Sequence, residues 1–236
     1  LMKQVGINVI VVHGGGPQID EELKKVGIKR NFVDGIRVTD KKTIEIVSDT
    51  LTNIVNNEIV DLINKNGANA IGVAKENNNV IRVKKYISKK AEYGYVGEIT
   101  DIDTNYIYEL MNSNYIPVIA PIGFDNDLNI YNINADNAAS NIASQLSAEK
   151  LIFLTDQAGV LNKKEELIST LNFSEIKKLI DDEVITGGML PKTLACLNAI
   201  KNNVNMAHIV DGRIQHSVLL EIFTNEGIGT LFKKNG

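Results

Sequence analysis

The sequence predicts an α/β protein, a three-layer αβα sandwich around a mostly parallel, twisted sheet. Three observations predict it. Apolar, β-branched runs such as "NVIVVH" and "KLIFLTD" alternate with segments of helical period. Strands that alternate with helices are joined by crossovers, so they run parallel and are buried on both faces. Every glycine-rich or charged motif also falls just after one of these runs, where sheets of this kind collect ligands. Finally, 236 residues at 44% hydrophobic and 23% charged is ordinary globular composition, long enough to bury a substantial core.

In chain order, "NVIVVH" reads as the first strand and "PQIDEELKKV" as a helix. Ile44, Val47, Leu51 and Ile54, at three-to-four spacing, predict one long helix to about Asn66. A strand, "ANAIGVA", follows. The alternating segments "VIRVKKYI" and "YVGEITDI", separated by a charged turn, read as paired antiparallel strands. A helix, "TNYIYELMNS", leads to the apolar strand "IPVIAPIG", then to helix "ADNAASNIASQL", strand "KLIFLTD", two more helices and strand "MAHIVD". There is no internal repeat, low-complexity tract or Pro/Gly/Ser linker. The expected organisation is an N-terminal lobe, 1–132, and a C-terminal lobe, 133–236, sharing one continuous sheet and not independent domains.

The net charge of −4 argues against a general polyanion binder and hence against nucleic acid as a partner. No apolar run approaches the roughly 20 residues a membrane span needs. The single cysteine, Cys196 in "LACLNAI", reads as a small buried side chain. With no secretory signal in view, a cytoplasmic protein is expected.

Five motifs carry the chemistry. In "HGGGPQID", Gly14, Gly15 and Gly16 precede a helix with Pro17 in its first turn, so bare amides can approach an anion at the positive end of the helix. A plain tight turn would also explain them, and His13 reads as a packing residue. In "DGIRVTD", Arg37 stands just before a helix that Thr39 or Asp40 could cap; it suits either a surface ion pair or a two-pronged grip on a carboxylate. In "YNINADNAAS", Asn132, Asn134 and Asp136 gather at a helix start, with Asn134 the natural cap. In "LTDQAGVL", a strand ends at Thr155 and Asp156, and Gly159 permits a sharp turn. In "ITGGMLPKTLACLNAI", Gly187 and Gly188 open a helix that carries Leu190, Leu194 and Leu197 on one face and Lys192 in its first turn. A cation there opposes the helix dipole, a conflict that an anionic ligand would relieve. Together the motifs suggest phosphoryl transfer, which needs positioning and charge neutralisation more than covalent help.

With these residues assembled, the chain resembles the amino-acid kinase family, and within it the acetylglutamate kinases of arginine biosynthesis. "VVHGGGPQID", "DGIRVTD", "NINADNAA", "GGMLPK" and "FTNEGIGTLF" carry the likeness along nearly the whole chain. The resemblance implies the amino-acid kinase fold and transfer of the ATP γ-phosphoryl group to the side-chain carboxylate of N-acetyl-L-glutamate, with Mg²⁺ held mainly by the phosphates and by no protein cage. It implies that Gly15 and Gly16 bind the accepting carboxylate, while Arg37 and Asn132 hold the rest of that substrate. Asp136 would orient the catalytic lysines and Lys192 would stabilise charge on the moving phosphoryl group. Thr155, Asp156, Gly187, Gly188 and Met189 fall where the family surrounds ATP. His216, Glu221 and Gly227 match an inhibitory L-arginine site, the bland reading being that Leu219, Leu220 and Phe223 are core and Glu221 a solvated charge. A homodimer is expected, or a hexamer in a complete protein.

One departure stands out. The family's first strand carries a Lys-x-Gly-Gly-like segment, and none lies upstream of Val11. The resemblance therefore implies that a first strand and helix are missing and that this chain alone is nearly inactive. One lost preorganised charge donor costs roughly 10²–10³ in rate. Two other readings stay open: a kinase of carrier-linked aminoadipate or glutamate, and a non-catalytic arginine-binding subunit.

Overall fold

The computed structural model describes residues 1–75, 78–224 and 227–234. It falls into two units, Leu1–Ala138 and Ala139–Gly236.

In the first unit, β1 (Val11–Val12) leads through the glycine loop into α1 (Gly16–Lys25), which buries Ile19 and Leu23 one turn apart. β2 (Phe32–Val33) and β3 (Ile36–Arg37) form a tight hairpin. Asp34 and Gly35, at φ 51° and 77°, supply its left-handed turn, the hand that matches strand twist. α2 (Lys41–Asp49) is capped by Asp40, whose carboxylate accepts from Thr43 N at 2.8 Å. It continues through a π-helical turn, Thr50–Val55, into α3 (Asn56–Lys65). The expected long helix is thus present, but the π turn inserts a residue and rotates the apolar face. Ile54 is 39% exposed, whereas Val55 is 5% exposed.

β4 (Ala70–Val73) follows, then the antiparallel pair β5 (Ile81–Lys85) and β6 (Gly97–Ile102). α4 (Thr104–Asn112) leads to β7 (Ile116–Ile119), β8 (Ile122–Phe124) and β9 (Ile130–Asn132). α5 (Ala135–Gln145) closes the unit and runs past it. β1, β7 and β4 make a parallel sheet, in that order; β6, β5, β8 and β9 make a second, mostly antiparallel one. "IPVIAPIG" is therefore two strands in two sheets and not one strand. The chain leaves the first sheet at Pro121, which has no N–H to give a ladder. Within the first unit the longer strands thus fall into two separate sheets. A core of Leu23, Val47, Leu51, Ala74, Ala120, Ile122 and Phe124 lies under α1 and α2.

In the second unit, β10 (Lys150–Thr155), β11 (Thr170–Leu171), β12 (Met206–Asp211) and β13 (Thr230–Phe232) form one sheet in the order β10-β12-β13-β11. Parallel pairing of β10 with β12 places Thr155 beside Asp211 at the strand ends. α6 (Phe173–Asp181) opens with an Asn172/Glu175 capping box. α7 (Met189–Lys201) buries Thr193, Ala195, Cys196, Ala199 and Ile200, while Leu194 is 49% exposed. The packed face is thus the one with small side chains, which let the helix approach closely, and Cys196 is core as expected. α8 (Ser217–Phe223) precedes β13. Among the described residues no helix is long and apolar enough to cross a membrane.

Candidate functional site

The glycine loop sits at the carboxyl end of β1. Gly15 occupies the N-cap of α1, and no side chain caps the amides there. A Cβ on Gly15 would lie 2.6 Å from Leu51 Cδ2 and 3.3 Å from Val55 Cγ2, so the loop rests directly on the π turn; Gly16 meets nothing within 4 Å. His13 is buried beneath the loop and bonded to it, in line with its reading as a packing residue. Burial lowers its pKa, only partly offset by the Gly14 carbonyl.

Arg37 is 7% exposed, not a surface cation. Its Nη2 donates to Asp20 Oδ1 on α1 at 2.6 Å, its guanidinium lies 4.6 Å from the Phe32 ring centroid, and its buried Nη1 has no partner. Burial raises the Asp20 pKa, but the hydrogen bonds and charges of Arg37 and Arg30 outweigh it, and the net shift is downward. Asp20 stays an anion. Thr39 Oγ1 donates to the Arg37 carbonyl at 2.9 Å and accepts from Asn132 Nδ2 at 3.3 Å. Thr39 lies flat on residues 93–95, donating N–H to the Tyr93 carbonyl. Only glycine fits at position 94, where φ is 71° and any Cβ would strike the Thr39 carbonyl. Asp40, not Thr39, is therefore the helix cap, which frees Thr39 to join two predicted site residues.

Asp136 stands in the first turn of α5, and Asn134 caps that helix by accepting from Asn137 N at 3.1 Å. A Cβ on Gly14 would lie 3.9 Å from Ala135 Cβ. The first unit thus gathers the glycine loop, Arg37, Asn132 and the start of α5. Sequence reasoning missed Asp20, Thr39 and Gly94 there. Asp20 was visible in "PQID", but its partner lies 17 residues away.

In the second unit, Thr155, Asp156, Gly188, Met189 and Lys192 line a cleft of about 370 Å³ together with Gly159. Gly187 is not part of its lining. Lys192 Nζ lies 5.7 Å from the Phe153 ring centroid. The cleft joins the end of β10 to the start of α7 and so brings two of the motifs together. A larger cleft of about 590 Å³ in the first unit is lined by none of the predicted site residues.

The tail differs from expectation. Glu221 is not a solvated charge: its carboxylate accepts from Ile228 N at 2.7 Å and Gly229 N at 3.1 Å and lies 2.6 Å from His208 Nδ1. Burial raises its pKa, yet these amides and His208 lower it on balance, while burial lowers that of His208. Gly227 is adjacent, since a Cβ there would come within 3.0 Å of the carboxylate. His216 is exposed at the N-cap of α8, with φ 60°. The histidine beside Glu221 is therefore His208, which the sequence reading missed because its partner comes from another element. Leu220 and Phe223 are 36% and 53% exposed, so the proposed core stripe faces outward. Residues 225 and 226 of "FTNEGIGTLF" lie outside the described residues.

These features sit in an α/β fold, and the chain belongs to the amino acid kinase family, whose model matches residues 1–211. An acetylglutamate kinase of Campylobacter fetus is 50% identical over 233 residues, 99% of this chain and 82% of the relative. Another, from Caldanaerobacter subterraneus, is 49% identical over 237 residues, 99% and 79%. The crystal structure of smu.665 from Streptococcus mutans superposes with a TM-score of 0.86 at 28% identity, covering 98% of this chain and 88% of that one.

Proposed function

We propose that this chain phosphorylates the side-chain carboxylate of N-acetyl-L-glutamate with ATP, giving N-acetylglutamyl phosphate, a step of arginine biosynthesis. The observation that carries the reading is half identity to acetylglutamate kinases over 99% of the chain. A carboxylate oxygen attacks the γ-phosphorus in line; the bond to the β,γ-bridging oxygen breaks, and ADP leaves with that electron pair. The chain's own contribution is to orient the reactants and neutralise charge.

In the first unit, the Gly15 and Gly16 amides receive the accepting carboxylate at the start of α1, and Arg37 Nη1 and Asn132 hold the rest of the substrate. Three features support this: an uncapped helix start, a buried guanidinium nitrogen with no partner, and the Thr39 link between Arg37 and Asn132. In the second unit, Thr155, Asp156, Gly188, Met189 and Lys192 hold ATP, with Gly187 shaping the loop, supported by the cleft they line. Lys192 stabilises charge on the moving phosphoryl group, and Asp136, in the first turn of α5, is a catalytic carboxylate. Among the described residues no group of three or more His, Cys, Asp or Glu could hold a metal. Mg²⁺ would be held mainly by the phosphates, where it would supply charge neutralisation.

An ADP-release assay with acetylglutamate, glutamate, aspartate and uridylate tests the proposal, run on this chain, for which slow turnover is expected, and on a form extended by a Lys-x-Gly-Gly-like first strand. Acetylglutamate should be strongly preferred, and preference for any of the others would place the chain elsewhere in the family. L-Arginine is proposed as an inhibitor acting near Glu221 and Gly227, supported by their contact and by the loop amides gathered on that carboxylate. Titration of arginine without change in activity would remove this part. A homodimer is the proposed assembly, read by light scattering.

A further inference from the structure

The peptide between Gly14 and Gly15 carries a carbonyl and an amide that point in opposite directions, as in any planar trans unit. Whatever holds the carbonyl therefore aims the amide. Gly14 O lies 2.8 Å from His13 Nδ1, and which ring nitrogen bears the proton is decided by Asn56, on the other side of the ring. The Asn56 amide approaches two groups, the Val118 carbonyl at 2.8 Å and His13 Nε2 at 3.1 Å. A carbonyl oxygen can only accept, so the Asn56 amino group must face it. Its second N–H then points at Nε2, which has to be the bare, accepting nitrogen. The ring proton is left on Nδ1, where it donates to Gly14 O.

We propose that His13 and Asn56 are positioning residues for phosphoryl acceptance: the chain of bonds from Val118 through Asn56 and His13 pins the Gly14 carbonyl and so holds the Gly15 N–H turned toward the accepting carboxylate. The inference rests on the role proposed above for Gly15. The surroundings fit a dedicated relay. Asn56 is 1% exposed and His13 6%, and both N–H bonds of the Asn56 amide are used. Gly72 leaves room for the Asn56 oxygen, which any Cβ at that position would strike. The π turn ends at Val55, immediately before Asn56, so the extra residue that rotates Val55 inward also sets Asn56 beneath the loop. An anion cradle whose amide is fixed before the ligand arrives loses nothing to reorganisation.

The test uses two substitutions, read kinetically in the chain extended by a Lys-x-Gly-Gly-like first strand, and one measurement on the unaltered protein. His13→Leu removes the donor to Gly14 O. His13→Asn places an amide N–H where Nδ1 stood. H13L should raise the KM for acetylglutamate about tenfold, leaving kcat and the KM for ATP within about twofold, and H13N should recover most of the loss. Equal shifts in both KM values, no shift at all, or H13N no better than H13L would overturn the proposal, because packing alone would not separate these variants. Should H13L fail to fold, nitrogen-15 NMR of the unaltered protein decides: His13 should carry its proton on Nδ1, and an Nε2–H tautomer sinks the relay. Absence of acetylglutamate phosphorylation by the chain extended with a Lys-x-Gly-Gly-like first strand would instead count against the proposed function, leaving the tautomer result standing.

Discussion

Two glycine loops open helices in this molecule, and they are built in opposite ways. Gly15 is wedged against Leu51 and Val55, with His13 and Asn56 buried beneath it. Gly187 and Gly188 meet nothing within 4 Å, are exposed, and lead into α7 with no side-chain cap. The first loop is held by its packing; the second is open. The difference fits the proposed tasks. A small carboxylate must be presented in one geometry to react, whereas a triphosphate brings its own charge and can draw loop and lysine around itself.

The largest expected effect tests the open loop. Lys192→Met should lower kcat roughly 10²–10³-fold if its ammonium stabilises the moving phosphoryl group. The lysine is half-buried in a cleft wall, so the fold should survive. A kcat within a factor of three of the unaltered protein would remove Lys192 from the chemistry.

The next effect contrasts the two loops directly. Gly15→Ala forces a Cβ to 2.6 Å from Leu51 Cδ2 and should cost about 1–3 kcal/mol in chemical denaturation. Gly188→Ala enters open space at φ −67°, which alanine adopts freely, and should change stability by less than about 0.5 kcal/mol. Equal losses at the two positions would show that the loops are not differently supported.

A smaller effect concerns the carboxylate that already sits on Arg37. Asp20→Asn weakens the 2.6 Å bond to Nη2 and leaves the buried guanidinium without a charged partner. If Asp20 steadies Arg37 for the substrate, the KM for acetylglutamate should rise about tenfold, equivalent to about 1.4 kcal/mol. A lower KM would mean that Asp20 competes with the substrate for the same fork.

How much of this was legible follows from where each signal lives. The layered fold and the loop-before-helix motifs are local patterns of period, glycine and cap, and the chain displays them directly. Arg37 and Asn132 each stand inside a short motif that is displayed as directly. What was not legible depends on partners distant in sequence: Asp20 on Arg37, Thr39 on Asn132, His208 on Glu221. The resemblance pointed to His216, and nothing in the sequence shows that His208 is the histidine turned toward Glu221. The π turn was hidden for another reason. Ile44, Val47, Leu51 and Ile54 satisfy an ordinary helical period, and only packing against Gly15 reveals that Val55 has replaced Ile54 on the inner face.

The smallest effect sets a surface support beside the buried one under the glycine loop. At the end of β12, Arg213 grips Asp211 with two bonds, Nε to Oδ1 at 2.9 Å and Nη2 to Oδ2 at 2.8 Å. These bonds, the Arg213 amide and the guanidinium charge lower the Asp211 pKa to about 2. A carboxyl depressed on folding contributes stability above its ordinary value near 4, and that contribution is lost as pH falls from about 4 through about 2. Arg213 is 67% exposed, so the effect at neutral pH should be slight. Arg213→Gln should return the Asp211 titration toward its ordinary range and flatten this part of the acid dependence, with little change at pH 7. Thermal midpoints between pH 2 and pH 7 check both statements. An equally steep acid loss in the variant would show that the pair does not set the Asp211 titration, and that acid sensitivity arises from other groups.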